Sequence, residues 1–441
     1  MYDVVIGRKE SDVKKYGLLG TVLLGKHYVK MGHVTSLSNN VYLDVARSHV
    51  VFICGKRGGG KSYTMGAIAE GMADLPVHVR QNLSFILLDT MGIYWTMKYP
   101  NKRDEPLLAE WGFKPKALDV KIYTPKTYYK EYKEKGIPTD FPFSLNAGEF
   151  SPEDWQMTFE VLPTEPVGVL IERIIFELRE KTTTFTIGDI IDALKKDTHT
   201  DQTTKDAAIN RFLNAKLWGI FAEKGEKGTS INELARAGQV TVLDVSCYAT
   251  MPGGWKIKSL IVGLVSQNLF VQRMLARKNE EYKSIKDAIH YFTEDAAKEK
   301  LDMPLVWLVI DEAHEFLPRE GRNPATQPLI TILREGRQPG ISLIMATQQP
   351  GKIHTDVMTQ SDTVLSHRIT AKMDVDALSM LMQSYMREGL DTEINNLPRE
   401  QGAGVLFDDT NERMYAIRVR PRFTWHGGES PFAIPPEKKL V

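Results

Sequence analysis

Cysteine is nearly missing from this chain: Cys54 and Cys247 are the only two among 441 residues. Each sits in an apolar run that reads as a strand, which argues against a disulfide framework or a zinc site and fits a reducing compartment. An excess of either charge is missing too, with Lys plus Arg and Asp plus Glu at 56 each. No global positive field therefore attracts nucleic acid, and any DNA contact has to use local patches or the inner surface of a ring. No stretch approaches about 18 uninterrupted apolar residues, and the opening Met1-Tyr2-Asp3-Val4-Val5 lacks the charged-then-apolar pattern of a secretory leader. The expectation is a cytoplasmic protein with no membrane partner. Internal repeats and low-complexity tracts are also absent.

What is present is ordinary globular composition, 42% hydrophobic and 25% charged, which sets aside disordered and fibrous classes. The length allows about two to three domains. Residues 1–48 alternate apolar and polar between glycines, which predicts a small β-rich segment of short strands and turns. Residues 49–150 and 239–425 carry the apolar strand runs Val50–Cys54, Phe85–Asp89, Val240–Val245, Val306–Ile310, Ile341–Ala346 and Thr363–Arg368, with helical patterns between them. That alternation predicts an α/β core with a mostly parallel sheet covered by helices on both faces. Residues 151–238 open on Ser151-Pro152-Glu153-Asp154, a cap followed by proline at the first helical position, and continue as amphipathic patterns, predicting an all-helical insertion. The stretch from about 100 to 145, rich in Pro, Lys and Tyr, reads as surface connection, with only Val120-Lys121-Ile122-Tyr123 resembling a strand. Gly404–Phe407 and Met414–Val419 read as a closing hairpin, and 426–441 as a tail.

The strongest motif is Gly55-Lys56-Arg57-Gly58-Gly59-Gly60-Lys61-Ser62, which satisfies G-x-x-x-x-G-K-[ST] between a predicted strand and a predicted helix. Glycines let successive backbone N–H groups converge on phosphate oxygens, and the start of the helix adds its positive end. Lys61 is placed to reach the β- and γ-phosphates of ATP, and Ser62 to offer a hydroxyl to Mg²⁺. A second signal is the apolar run Leu305–Ile310 ending in Asp311-Glu312. A buried strand that delivers two acids to a bound nucleotide assigns Asp311 to the metal and Glu312 to general-base work on the attacking water.

After the strand Ile341–Ala346 come Thr347-Gln348-Gln349. An amide there can orient the attacking water, and Gln348 is the first candidate with Gln349 its rival. Arg334, Arg337 and Arg368 flank the same region, and phosphoryl transfer gains from a guanidinium that meets the developing charge in an assembled state. Arg337, just before the Pro339-Gly340 turn, leads.

Taken together, Gly55 to Ser62, Asp311-Glu312-Ala313-His314, Glu335-Gly336-Arg337 and Ala346-Thr347-Gln348 resemble the HerA branch of the HerA/FtsK superfamily, over roughly residues 45–425. The resemblance implies a RecA-like P-loop NTPase that assembles as a hexameric ring, moves duplex DNA through its channel and works with a NurA-type nuclease in end resection. It also accounts for a helical insertion and for Asp89-Thr90-Met91-Gly92-Ile93-Tyr94, similar to the family's acidic motif after the second strand, where Ile93 replaces the usual glutamate. The N-terminal segment is shorter than the family's usual barrel. Arg418, Arg420, Pro421 and Arg422 resemble a C-terminal brace that reaches an adjacent subunit.

Weaker signals remain. Lys126, Lys130, Lys133 and Lys135 interleave with Tyr128, Tyr129 and Tyr132, a composition compatible with nucleic acid but read first as solvated surface. His314, His354, His367 and His426 form no ligand set. Ser246-Cys247 lacks the glycine elbow of a nucleophile and reads as a strand end. The expected function is an ATP-dependent ring-forming DNA translocase in end processing, repair or DNA transfer. The alternative is an ATPase that switches partner affinity with its nucleotide and moves no DNA.

Overall fold

The computed structural model describes residues 3–31, 34–289, 301, 303–369, 371–379, 393–394, 396 and 397–428. Along the chain run β1 (Val4–Ile6), α1 (Glu10–Tyr16), β2 (Thr21–Met31), β3 (Val34–Asp44), β4 (Val50–Cys54), α2 (Lys61–Ala73), α3 (Val77–Arg80), β5 (Leu83–Asp89), α4 (Glu105–Glu110), β6 (Lys121–Pro125), α5 (Lys126–Glu134) and β7 (Phe141–Phe143). Next come four helices, α6 (Pro152–Phe159), α7 (Pro166–Lys181), α8 (Ile187–Lys196) and α9 (Gln202–Leu217), and a short α10 (Ile231–Leu234). The chain continues through β8 (Val240–Asp244), α11 (Gly254–Ile289), β9 (Leu305–Ile310), α12 (Thr326–Glu335), β10 (Ile341–Thr347), α13 (Thr355–Gln360), β11 (Thr363–His367), α14 (Lys372–Ser379), β12 (Ala403–Asp408) and β13 (Arg413–Val419).

All thirteen strands join one sheet in the order β1-β3-β2-β13-β12-β11-β4-β10-β9-β5-β8-β6-β7. From β11 to β7 every pairing is parallel, whereas β11·β12, β12·β13, β13·β2 and β2·β3 are antiparallel. The apolar strands bury both faces, and successive residues alternate between two cores. Val51 and Ile53 of β4 face Met65, Ile68 and Met72 of α2. Phe52 and Cys54 face the opposite core, built from α11, α12 and the helices α6–α9. Those four helices close on Trp155, whose ring lies 5.1 Å from Phe212 and 5.3 Å from Phe150. Capping boxes at Ser151/Asp154 and Thr186/Asp189 start α6 and α8, satisfying N–H groups that the helix itself leaves open.

Residues 254–286 of α11 are long and apolar enough to cross a membrane, yet most of their most apolar window is buried in the fold, as in a core helix.

Two expectations about the elements need correction. The 100–145 stretch is more than surface connection: the strand-like run at Val120–Tyr123 becomes β6, and it is joined at the sheet edge by β7, a three-residue strand centred on Pro142. A proline tolerated at a sheet edge hides such a strand from a search for apolar runs. The lead-in is likewise not made of short strands, because β2 and β3 are eleven residues each and pair with two register shifts. Such shifts break the period of two on which the reading by alternation depends.

Candidate phosphate-binding site

The parallel register aligns the C-terminal ends of the central strands. Cys54 pairs with Thr347, Met345 with Ile310, and Ile310 with Leu88. The residues just past β4, β10 and β9 therefore emerge together at one sheet edge, where open α/β sheets place their ligands.

After β4 the chain turns through Gly55–Gly60 into α2. Gly60, at the helix N-cap, has φ 107°, a conformation that a side chain would strain. A Cβ on Gly59 would lie 2.9 Å from the Lys56 carbonyl oxygen. Lys56, Arg57 and Gly58 are exposed at the crest of the loop, while Lys61 is buried. Lys61 Nζ donates to the carbonyls of Gly55 at 3.1 Å and Lys56 at 3.4 Å, which sets the ammonium inside the loop.

Ser62 Oγ donates to Asp311 Oδ2 at 2.8 Å, joining the loop to the end of β9. Asp311 Oδ1 accepts from the backbone N–H of Glu312 at 2.9 Å. Burial raises the Asp311 carboxyl, against the opposing pull of Ser62 and Lys61. Glu312 is pushed up to about 7 by burial and by the charge of Asp311, with Lys61 and the backbone N–H of Gln348 acting the other way. Its backbone is left-handed, φ 50° and ψ 45°, uncommon for a residue with a side chain and frequent at functional sites. Its Oε2 is buried with no hydrogen-bond partner.

Beside the acids stands His314, half-buried, with Nδ1 3.0 Å from Thr347 Oγ1 and 3.5 Å from Glu312 Oε2. Burial and the charges of Lys352 and Lys61 lower its pKa. Gln349 donates its backbone N–H to Thr347 Oγ1 at 3.1 Å, and its side-chain Nε2 is 3.4 Å from His314 Nε2. Gln348 is half-buried at the same turn. A cavity of about 570 Å³ opens over the loop, with Gly59, Lys61 and Tyr63 on one side and Trp111, Arg418 and His426 on the other. That volume suits a small-molecule ligand.

The three arginines part company. Arg337 precedes the first residue of β10 and is exposed, so a strand of about 20 Å separates it from the site of its own chain. Arg334 is exposed on α12, with Nε 2.6 Å from Asp356 Oδ2. Arg368 instead follows β11 directly, and its carbonyl accepts the Lys56 N–H at 3.3 Å, so it borders the phosphate loop of its own chain.

Asp89, at the end of β5, accepts N–H bonds from Met91, Gly92 and Tyr94 at 3.2, 2.7 and 2.9 Å. Burial and the charge of the facing Asp244 push its carboxyl above the usual carboxylate range. Ile93 packs partly buried against the core on the α2 side of the sheet. Ser246 and Cys247 begin a 3₁₀ turn after β8. In the Lys/Tyr segment on α5, Lys126 pairs with Glu226 at 2.5 Å and Tyr128 packs edge-on against Tyr248.

Two features carry no local sequence signal. His367, fully buried, supports the loop from beneath: its Nδ1–H donates to the Ala403 carbonyl at 3.1 Å and its Nε2 accepts from the Thr64 hydroxyl at 2.9 Å. Burial and Lys61 lower its pKa to about 4, so the ring is neutral. A Cβ on Gly55 would come within 2.8 Å of the His367 Cβ. The second feature corrects the expected brace. Arg420 and Arg422 do not extend outward but are buried against Glu70 of α2 in the same chain, at 2.8 and 3.2 Å. Gly66 makes room for them, since a Cβ there would lie 2.5 Å from Arg422 Nη1. Arg418 pairs with Glu400 at 3.0 Å. Residues 429–441 of the expected tail lie outside the described residues.

Against this geometry stand the likenesses to known proteins. A family model described as the central domain of helicase HerA matches residues 29–251, and one described as zonular occludens toxin matches 256–377. The chain is 22% identical over 385 residues to a protein of Methanocaldococcus jannaschii described as a probable DNA double-strand break repair helicase HerA, covering 81% of this chain and 70% of that one. It is 27% identical over 192 residues to the DNA double-strand break repair helicase HerA of Pyrococcus furiosus, covering 42% of this chain and only 32% of that protein. Among solved structures, VirB4 of Thermoanaerobacter pseudethanolicus superposes with a TM-score of 0.52 at 12% identity, covering 91% of this chain and 96% of that one. At such identity the likeness speaks for the RecA-like fold alone. With a phosphate loop joined to the buried Asp311, and Glu312 beside it, at the edge of that sheet, and with a family match spanning more than half its length, the chain belongs to the family of the HerA helicase central domain and is a HerA/FtsK-type P-loop ATPase.

Proposed function

We propose that this ATPase assembles as a ring, a hexamer, and couples Mg²⁺-dependent ATP hydrolysis to movement of duplex DNA, in end processing, repair or DNA transfer. The observation that carries the chemistry is the contact between Ser62 and Asp311 with Glu312 beside it, at the mouth of the loop that holds Lys61. The description of both curated relatives as double-strand break repair helicases supports the DNA substrate, and a NurA-type nuclease is the partner this reading brings.

The donor set fits Mg²⁺, a hard cation that takes oxygen ligands and keeps several waters. Ser62 Oγ and Asp311 Oδ2 already lie within 2.8 Å of each other, and Asp311 is buried. These two residues would hold the ion, which when bound neutralises charge on the β- and γ-phosphate oxygens. The backbone of Gly55, Lys56, Arg57, Gly58, Gly59 and Gly60 cradles the phosphates, and Lys61 reaches the γ-phosphate from within the loop. Glu312, with a pKa near neutrality, is suited to take a proton from the attacking water at its carboxylate. Gln348 orients that water, and Arg337 of one copy serves the site of the next.

The test is ATP turnover by the native chain and by Glu312→Gln, each with and without linear duplex DNA, with the assembly state recorded in parallel. Strong stimulation by DNA that disappears in the variant supports the motor. Turnover indifferent to DNA would instead favour an ATPase whose nucleotide state switches its affinity for a partner.

A further inference from the structure

His314 lies between two parts of the site, the acid after β9 and the amide turn after β10, and its side chain reaches both. It sits on the 3₁₀ turn Ala313–Glu315, which starts from the left-handed Glu312, so one short piece of backbone fixes both side chains. Its ring is neutral, since burial and two lysines lower its pKa, and a neutral imidazole has one N–H to give. The Gln349 side-chain amide nitrogen, a donor, lies 3.4 Å from His314 Nε2. That contact makes Nε2 the acceptor and leaves the single proton on Nδ1.

Two oxygens compete for this proton. Thr347 Oγ1 is 3.0 Å from Nδ1 and also accepts the Gln349 backbone N–H. Glu312 Oε2 is 3.5 Å from the same nitrogen and is a buried acceptor with no partner. The first contact is a hydrogen bond, while the second needs about 0.5 Å of approach to become a charge-assisted one. A small displacement of the amide turn, which carries Thr347 with it, decides between them.

We propose that His314 is a positioning residue that passes its Nδ1–H from Thr347 to the Glu312 carboxylate when the amide turn shifts, coupling the setting of Gln348 and Gln349 to the orientation of Glu312. The proposal rests on the reading of Glu312 as general base. With Nδ1–H on Thr347, Oε2 of the Glu312 carboxylate has no donor of its own. With Nδ1–H on Oε2, one oxygen is pinned and the other is held toward the attacking water. No covalent step is added, and the histidine touches neither substrate nor reacting atoms.

The experiment compares the full-length native chain with His314→Ala, His314→Asn and Glu312→Gln, measuring kcat and KM for ATP with Mg²⁺ and saturating linear duplex DNA, together with thermal midpoints. Asparagine is informative because its side-chain N–H falls near the place of Nδ1–H. In His314→Ala, kcat should drop about tenfold with KM for ATP little changed, as expected when a reacting group loses its orientation rather than its ligand. His314→Asn should recover most of that loss at the same thermal midpoint. A native kcat in His314→Ala, or equal losses in the alanine and asparagine variants, overturns the coupling. If Glu312→Gln abolishes hydrolysis while His314→Ala does not impair it, only the coupling fails. If Glu312→Gln still hydrolyses ATP, the general-base reading fails and the coupling with it.

Discussion

Two glutamates flank the phosphate loop, Glu70 buried and Glu312 half-buried, and are treated in opposite ways. Glu70, on α2, has both oxygens occupied. Oε1 accepts from Arg422 Nε, the Thr424 N–H and the Thr424 hydroxyl, and Oε2 accepts from Arg420 Nη1 and the Phe423 N–H. Glu312, after β9, keeps Oε2 without a partner, stands beside the like charge of Asp311 and rests on a left-handed backbone. A buried charge without donors is costly. A fold tolerates such an arrangement where something else is gained, and the catalytic edge of a P-loop sheet is such a place. The satisfied cluster serves assembly of the fold: it fastens the strand exit Arg420–Thr424 onto the helix that follows the phosphate loop, and Tyr63, next to Ser62, accepts the Arg422 N–H at 2.6 Å.

The comparison breaks most directly at Glu70. Glu70→Gln would leave two buried guanidiniums facing a neutral amide, and removing one partner of a buried ion cluster costs roughly 3–5 kcal/mol. Urea denaturation should show a loss of that size. A change under about 1 kcal/mol would mean that the cluster is loosely packed and that the contrast with Glu312 is not one of structural against functional burial.

The two clusters also differ in how legible they are in the sequence. The phosphate loop and the Asp311-Glu312 pair announce themselves because their chemistry demands fixed residue types at short spacing, next to apolar runs that form β4 and β9. The central strands are readable for the same reason, since a strand buried on both faces is apolar throughout. Glu70 gives a fainter signal, a charge among Met65, Ile68, Ala69 and Met72 on a helix whose buried face it shares. Its partners lie some 350 positions further along the chain, and no local pattern points to them. His367 is hidden in the same way, being an ordinary residue at the end of a strand until β11 is seen to pair with β4 beneath the loop. The strand β7 is missed for a different reason, since an edge strand containing proline lacks the apolar run of an interior one.

A third charged cluster lies between the two extremes and titrates. Arg8 pairs with Asp44 at 2.6 Å, and His49 stands 3.5 Å from Asp44 and 2.9 Å from Asp362, tying β1 and β3 to the approach to β11. Burial alone would lower the His49 pKa, but the two carboxylates outweigh it and raise the group to about 9. The folded value exceeds the unfolded one near 6.5, so the stabilisation is complete below about pH 6.5 and is lost as pH rises through about 9. Its size is on the order of 3 kcal/mol. Thermal midpoints of the native chain and of His49→Gln, followed from pH 6 to pH 10, should differ most at pH 6 and converge near pH 10. A constant difference across that range would show that His49 acts by packing against Trp307 and not by charge.

The smallest effect belongs to Glu312 and is the one that sharpens the contrast. Replacing this carboxylate by the isosteric amide removes its repulsion with Asp311 and supplies an N–H where a buried oxygen had no donor. The left-handed backbone is unchanged by the substitution, so its strain stays. Glu312→Gln should therefore fold as well as the native chain or up to about 1 kcal/mol better, the usual sign of a site whose chemistry is held at some cost in stability. Read in the same urea series as Glu70→Gln, the two isosteric substitutions should move stability in different directions by very different amounts. A loss of several kcal/mol in Glu312→Gln would instead make its carboxylate part of the fold's own framework and remove the distinction on which its assignment to catalysis leans.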